Sequence, residues 1–268
     1  MILDQPLETL FEEPSLPCYE MPGALLEAYG GALGFRRPCL FANFVTSVDG
    51  VVGLAEPTES GHLISKSSRA DRFVMGLLRA CADTLIIGAG TFRKVHGAVF
   101  SAEAIFPPGA EAFTALRQRL GLPPRPRFVV VTRGGNIDTA EPALDGALIV
   151  TSRIGENALR GRLSPNTEVV ALGADTVLLG DVMTLLRKRG AETILTEGGP
   201  SIFAEAVRAG IVDELFVTTS PLLYGRYGND RRKSLTDGLD LAGTPMNLLG
   251  AKRHGSYLFL RYAFTAGK

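Results

Sequence analysis

The stretch ILTEGGPSIFAEAVRAG, residues 194–210, sets an apolar run, a carboxylate, a Gly-Gly-Pro turn and an amphipathic run end to end. Ile194–Thr196 has the content of a short buried strand, and Gly198 and Gly199 stop it. Pro200 suits a first helical turn, where its missing N–H would have had no partner in any case. A strand feeding a helix through a glycine turn is the repeating unit of an α/β fold. In such sheets ligands bind beyond the carboxyl ends of the strands, where helix-start N–H groups can hold phosphate.

The same design recurs upstream. TLIIGAGTF (84–92) and RFVVVTRGG (127–135) are apolar runs ending in glycines. CLFANFVTSVDG (39–50) reads as a buried strand stopped at Asp49-Gly50, an Asp-Gly turn that accounts for Asp49 structurally. GALIVTS (146–152) and TEVVALG (167–173) add two more strands. Helices fall between them: SKSSRADRFVMGLLRACAD (65–83), with Phe73, Leu77 and Leu78 on one face and capping groups in Ser-Ser-Arg-Ala-Asp, then GAEAFTALRQRLGL (109–122) and VMTLLRKRG (182–190). Strands apolar on both faces and alternating with helices predict a mostly parallel central sheet covered by helices on each side. DELFVTTSPLLYG (213–225) and MNLLGAKRHGSYLFLRYAF (246–264) then predict a C-terminal antiparallel hairpin at the sheet edge. The expected organisation is an N-terminal arm, residues 1–37, packed on one α/β domain, residues 38–268.

Composition narrows the function. The 28 basic and 28 acidic side chains cancel, which argues against a broad nucleic-acid surface and favours a small-molecule partner. Cys18, Cys39 and Cys81 form no CxxC pair, which points to a reducing cytoplasm. The acidic, proline-broken start carries no export signal, and no apolar run approaches the roughly 20 residues of a membrane span. His62, His96 and His254 match no metal spacing, so no metal is expected. GAGTFR lacks the third glycine of the dinucleotide fingerprint, and no P-loop is present. Three glycine-rich strand ends therefore mark the expected ligand site: Gly88-Ala89-Gly90-Thr91, Arg133-Gly134-Gly135 and Gly198-Gly199-Pro200-Ser201.

Taken together and in order, FANFVTSVDGVVG, SRADRFVMGLLRACADTLIIGAGTFR, RFVVVTR and ILTEGGPSIFAEAVRAGIVDELFVTTSPLLYG resemble the pyrimidine reductase domain of riboflavin biosynthesis, a relative of dihydrofolate reductase. The resemblance spans roughly residues 39–264 and implies a dihydrofolate-reductase-like fold and a homodimer. It also implies NADPH-dependent hydride transfer to the opened ribosylamino group of a phosphorylated aminopyrimidine. The deaminase half of the bifunctional enzymes is not expected, because no H/C-x-E with P-C-x-x-C occurs.

By that resemblance, Gly198 and Gly199 let the backbone approach the cofactor diphosphate at the helix start, with Pro200 and Ser201. Val45, Thr46 and Ser47 offer main-chain contacts near the nicotinamide, Thr91 touches the same half, and Gly88 and Gly90 bind the cofactor. Thr132 and Arg133 meet the adenosine 2′-phosphate, for which a permanently charged, forked guanidinium is suited. Glu197 accepts from the pyrimidine's amino groups, and Arg79 touches substrate. Each has an ordinary alternative: a helix-capping carboxylate for Glu197, an N-cap for Thr91, a solvated arginine for Arg133 and a helix C-terminal cation for Arg79. The chain departs from the family after Gly-x-x-T. There FRKVHGAVFSAEAIFPPG (92–109) replaces the Asp-Asp-Pro-x-Leu-x-x-Arg segment, and Arg93 and Lys94 stand too near the strand end for the distal arginine's role. Two other readings therefore stay open: a reductase of the same fold acting on another small heterocycle or carbonyl, and an NADPH-binding protein without turnover.

If Arg133 holds the 2′-phosphate, Arg133→Ala will weaken NADPH binding by about 1.5–3 kcal/mol in a fluorescence titration while NADH binding stays put. Equal losses for the two nucleotides would refute that role.

Overall fold

The computed structural model describes residues 2–54, 60–225, 232–236 and 238–265. The first half of the chain forms β1 (Glu8–Glu12), α1 (Gly23–Tyr29), β2 (Cys39–Ser47), β3 (Val51–Gly53), α2 (Ser60–Ile64), α3 (Arg69–Cys81), β4 (Thr84–Gly88), α4 (Ala89–Phe92), α5 (Ala102–Ile105) and α6 (Ala110–Arg119). The second half forms β5 (Arg127–Thr132), β6 (Leu148–Thr151), α7 (Arg153–Leu159), β7 (Glu168–Ala171), α8 (Leu179–Lys188), β8 (Thr193–Thr196), α9 (Pro200–Arg208), β9 (Glu214–Ser220), β10 (Lys233–Ser234), β11 (Met246–His254) and β12 (Tyr257–Phe264).

Ten strands make one sheet in the order β1-β11-β12-β9-β2-β8-β4-β5-β6-β7. From β9 to β7 every neighbouring pair is parallel, whereas β12, β11 and β1 add antiparallel strands at one edge. This is the expected mostly parallel α/β sheet with its C-terminal hairpin. Alternation along the strands explains why both faces are dressed. Leu40, Ala42, Ile86 and Ile194 pack with Val182 and Leu186 of α8 and Phe203 and Val207 of α9. Phe41, Leu85 and Leu195 point the other way, into a core with Leu25 of α1, Phe73 and Leu77 of α3, and Phe113 of α6.

Strand β1 and the pairing of β3 with β10 have no counterpart in the sequence analysis. β1 is exposed along most of its length, so its residues carry no alternating signature. Buried polar contacts hold it in place. Lys252 of β11 donates to Thr9 Oγ1 at 2.8 Å, to Gly30 O at 3.1 Å and to Glu12 Oε2 at 3.2 Å. Arg261 of β12 donates to both oxygens of Glu214 at 2.7 and 3.0 Å and to Gly34 O at 2.7 Å. Leu3, Leu7 and Met21 reach the same core as Phe41. Among the described residues no helix is long and apolar enough to cross a membrane.

Helix α3 is fixed at both ends. Ser68 Oγ accepts from Asp71 N at 3.3 Å at its start. At its end the buried Arg117 of α6 donates to the carbonyls of Arg79, Ala80 and Ala82 at 3.0, 3.2 and 2.7 Å. Desolvation pushes the Arg117 guanidinium down to about 10. Arg117→Met strips those carbonyls of their donor, so its urea midpoint should fall by the equivalent of about 3 kcal/mol at unchanged m-value. A wild-type midpoint would show the cap to be dispensable.

Candidate functional site

β8 is the short strand at the centre of the sheet. It pairs with β2 over Cys39–Ala42 and with β4 over Thr84–Ile86, then ends at Thr196. β2 continues to Ser47 with only β9 laddered beside it, and β4 continues to Gly88. A notch therefore opens above Thr196, between the longer neighbours, and the Glu197-Gly198-Gly199-Pro200 turn crosses it on the way into α9. The three glycine-rich ends close β8, β4 and β5, which are adjacent in the sheet. One rim of the sheet thus holds every strand end singled out from the sequence.

Within that rim the glycines differ. A Cβ on Gly88 would come 2.5 Å from Ile202 Cδ1, and one on Gly198 would sit 3.1 Å from both Ile202 Cγ2 and Thr196 Oγ1, so these two admit the close approach of α9. Gly90 and Gly134 face open space, and Gly199 would meet only Thr91 Oγ1, at 3.1 Å. Gly199 caps α9 without any side-chain hydrogen bond, and Pro200 begins the helix. The Ser201 end of α9 thus keeps uncapped N–H groups and the positive end of the helix dipole. This uncapped helix start beside open glycines fits a diphosphate.

The other expected contacts take specific positions. Thr91 lies inside α4, whose N-cap is Gly88. Val45 and Thr46 are half-buried at the end of β2. Ser47 is buried, with its hydroxyl donating to Asp49 Oδ1 at 2.5 Å and accepting from Val51 N at 2.9 Å. Asp49 also accepts from Gly225 N at 2.6 Å, so that carboxylate fastens the turn to the segment after β9. Thr132 is buried at the end of β5 and Arg133, next to it, is exposed. The Arg133 carbonyl accepts from Ser152 Oγ at 2.6 Å.

Glu197 and Arg79, each expected to meet substrate separately, meet one another. Arg79 Nε donates to Glu197 Oε1 and Oε2 at 3.0 and 3.2 Å, and Nη2 donates to Oε2 at 2.6 Å. Their side chains are 5% and 7% exposed. Arg79 Nη1 turns to Ser101 O at 3.2 Å, and the guanidinium lies 5.6 Å from the Phe100 ring centroid. The guanidinium thus fixes the orientation of the Glu197 carboxylate, from a position in the last turn of α3. Glu197 keeps lone pairs for further donors.

Asp71 lies in the first turn of α3, where its backbone N–H donates to Ser68 Oγ, and Thr218 of β9 and Ser65 act on its carboxyl to lower its pKa. Thr218 lies beside Val45 in the β2–β9 ladder, at the same rim. Burial pushes this carboxyl up to about 6 against those two groups, and the Glu197 carboxylate pushes in the same direction. No local signal distinguishes it from an ordinary first-turn acid, because its partner lies 147 positions further along the chain. His96 too has a partner, Glu141 Oε1 at 2.8 Å, and the two gather with Asp138 where β4 and β5 lead out of the sheet.

Residues 38–258 match the family model described as the RibD C-terminal domain. The chain is 26% identical over 192 residues to the 2,5-diamino-6-ribosylamino-4(3H)-pyrimidinone 5′-phosphate reductase of Archaeoglobus fulgidus, covering 70% of this chain and 83% of that protein. In fold it resembles a pyrimidine reductase-like protein of Corynebacterium diphtheriae (TM-score 0.69, 20% identity, 92% of this chain and 96% of that one). It also resembles RibD of Acinetobacter baumannii (TM-score 0.63, 17% identity, 90% of this chain) and spans 60% of that longer chain.

The buried pair predicts strong coupling. Arg79→Met leaves an unpartnered carboxylate and should cost about 3–5 kcal/mol, whereas adding Glu197→Gln should recover most of the loss. Urea unfolding of both single variants and the double variant measures this; simple additivity would mean that the two groups do not support each other.

Proposed function

The chain belongs to the RibD C-terminal domain family, and from that membership we propose that it is an NADPH-dependent pyrimidine reductase of riboflavin biosynthesis. Its substrate in this reading is 5-amino-6-(5-phosphoribosylamino)uracil. The observation that carries the reading is the notch above Thr196, with its open glycines and uncapped helix start, beside a buried carboxylate held in a fixed orientation.

Gly199, Ser201 and Gly90 hold the cofactor's diphosphate half, Thr91 touches its nicotinamide half, and Gly88 and Gly198 let α9 approach closely enough to do so. The main chain of Val45, Thr46 and Ser47 lines the nicotinamide half, and Thr132 and Arg133 take the 2′-phosphate. Bound NADPH supplies the hydride. Glu197 does the orienting: Arg79 fixes its two oxygens, and the remaining lone pairs accept from the pyrimidine's exocyclic amino groups. Both partners are desolvated, so a substrate that satisfies the carboxylate is favoured over one that cannot.

The Archaeoglobus relative is named for a diaminopyrimidinone, so the test uses that compound as well as the aminouracil. Purified protein should oxidise NADPH with a phosphorylated ribosylaminopyrimidine, and the dephosphorylated analogue should be at least about tenfold poorer in kcat/KM, as charge-assisted phosphate contacts require. Glu197→Gln should lower kcat/KM by about ten- to a hundredfold with NADPH affinity unchanged. No oxidation with either phosphorylated compound, from folded protein that binds NADPH, would sink the substrate assignment.

A further inference from the structure

After α4 and after β5 the chain leaves the sheet in two loops, residues 93–101 and 133–141, that lie against each other. Phe92, Ile137 and Leu144 anchor both loops in one core. Arg93 Nη1 donates across the gap to Asn136 O at 2.8 Å. His96 from the first loop and Asp138 and Glu141 from the second each offer an atom within 4.8 Å of the others. His96 Nδ1 stands 2.8 Å from Glu141 Oε1, and Glu141 Oε2 accepts from Gly97 N at 2.8 Å. Asp138 Oδ1 accepts from Ala140 N at 3.0 Å. No spacing motif announces this cluster, since His96 and Glu141 stand 45 positions apart.

The charges of the cluster do not balance. Glu141 is 8% exposed, yet among the described residues its ionic partner is His96 alone. Arg93, three residues before His96, donates to a backbone carbonyl and to neither carboxylate. Two carboxylates facing one imidazole therefore leave net negative charge, half of it on a buried group, and burial of charge calls for a cation. One imidazole nitrogen with two carboxylate oxygens suits a divalent transition metal such as Zn²⁺, whereas Mg²⁺ and Ca²⁺ favour oxygen ligands throughout.

We propose that His96, Asp138 and Glu141 bind a divalent transition-metal ion of the Zn²⁺ class, which clamps the two loops together. The proposal stands apart from the reductase reading. Metal bonds of about 2.0–2.2 Å place tetrahedral ligands about 3.3–3.5 Å from one another. The His96–Glu141 pair at 2.8 Å thus has to part by about 0.6 Å, and a pair at the 4.8 Å limit has to close by about 1.4 Å. His96 and Asp138 are exposed and can swing that far, while Glu141, buried and bonded to Gly97, is the fixed member. The ion replaces the Nδ1 proton of His96, the imidazole keeps its proton at Nε2, and water takes the fourth position. Because the loops issue from Thr91 and Thr132, an occupied site also holds those two strand ends at a set spacing.

Protein stripped with EDTA and dialysed should take up one equivalent of Zn²⁺ in isothermal titration calorimetry and melt at a higher temperature with Zn²⁺ in excess. His96→Gln and Asp138→Asn should each weaken binding by at least about tenfold. Both positions are exposed, so the metal-free melts of these variants should stay close to that of the wild type. Cys18 and His62 are also exposed, and Cys18→Ser and His62→Gln should bind as the wild type does. Trypsin locates the ion, because Arg93 and Lys94 lie on the clamped loop. Zn²⁺ should slow cleavage after them several-fold in the wild type and leave cleavage of His96→Gln unchanged. No uptake of Zn²⁺, uptake that survives both His96→Gln and Asp138→Asn, loss of uptake in Cys18→Ser or His62→Gln, or equal slowing of trypsin in the wild type and His96→Gln would each overturn the site. None of these readouts involves NADPH oxidation, so the outcome is separate from that of the reductase assay.

Discussion

The site depends on one strand being too short. β8 stops at Thr196, flanked by β2 and β4 that run on, because Gly198, Gly199 and Pro200 cannot continue a central parallel strand. Everything at the rim follows from that stop. The unladdered side of β2 from Asn43 onward, the start of α9 and the first residue past the strand, Glu197, come together where sheet hydrogen bonding gives out. A longer β8 would fill the notch with paired backbone and bury the N–H groups that are now open to a ligand.

An early stop creates space but no orientation, which the Arg79–Glu197 pair supplies. Its members stand 118 residues apart, on α3 and on the β8–α9 turn, so their contact depends on α3 sitting at a fixed depth over the sheet. Arg117 at the end of that helix and Ser68 at its start hold it there. Desolvation makes the pair worth little as net stability, yet costly to disturb, since either partner alone is a buried unpaired charge. The carboxylate orientation is thus tied to the integrity of the core beneath it.

The parallel sheet was legible because its strands are apolar on both faces and punctuated by glycine, and the hairpin because two long apolar runs follow one another without a helix. The three glycine-rich stretches were legible as strand ends, but their adjacency was not, since sequence order puts β4, β5 and β8 far apart while the sheet places β8 beside β4. β1 escaped notice because an exposed edge strand has no alternation to show. The division of labour among the glycines, Gly88 and Gly198 for helix packing and Gly90 and Gly134 facing open space, needs the position of Ile202 in three dimensions. Arg79 and Asp71 could be picked out or passed over as residues of α3. What each one does is decided by partners on β8's turn and on β9, and no local pattern encodes those.

The segment that departs from the family bears on the same pair. Residues 92–108 lack an acidic pair, yet Ser101 O accepts from Arg79 and the Phe100 ring lies against its guanidinium while stacking on Phe128 at 4.4 Å. The segment therefore forms the far wall of the Arg79 socket. A guanidinium with five donors needs more than one carboxylate to be satisfied when buried, and the Ser101 carbonyl meets that need from a backbone atom, whatever side chain occupies the position. Side chains in this stretch can thus vary without loosening Glu197, provided the backbone at Ser101 keeps its place. Ser101 Oγ helps to keep it there by capping α5 through Ala104 N at 3.3 Å. The Glu197 carboxylate is in this way separated mechanically from the side chains of residues 92–108, and its geometry can be kept while that segment is rebuilt.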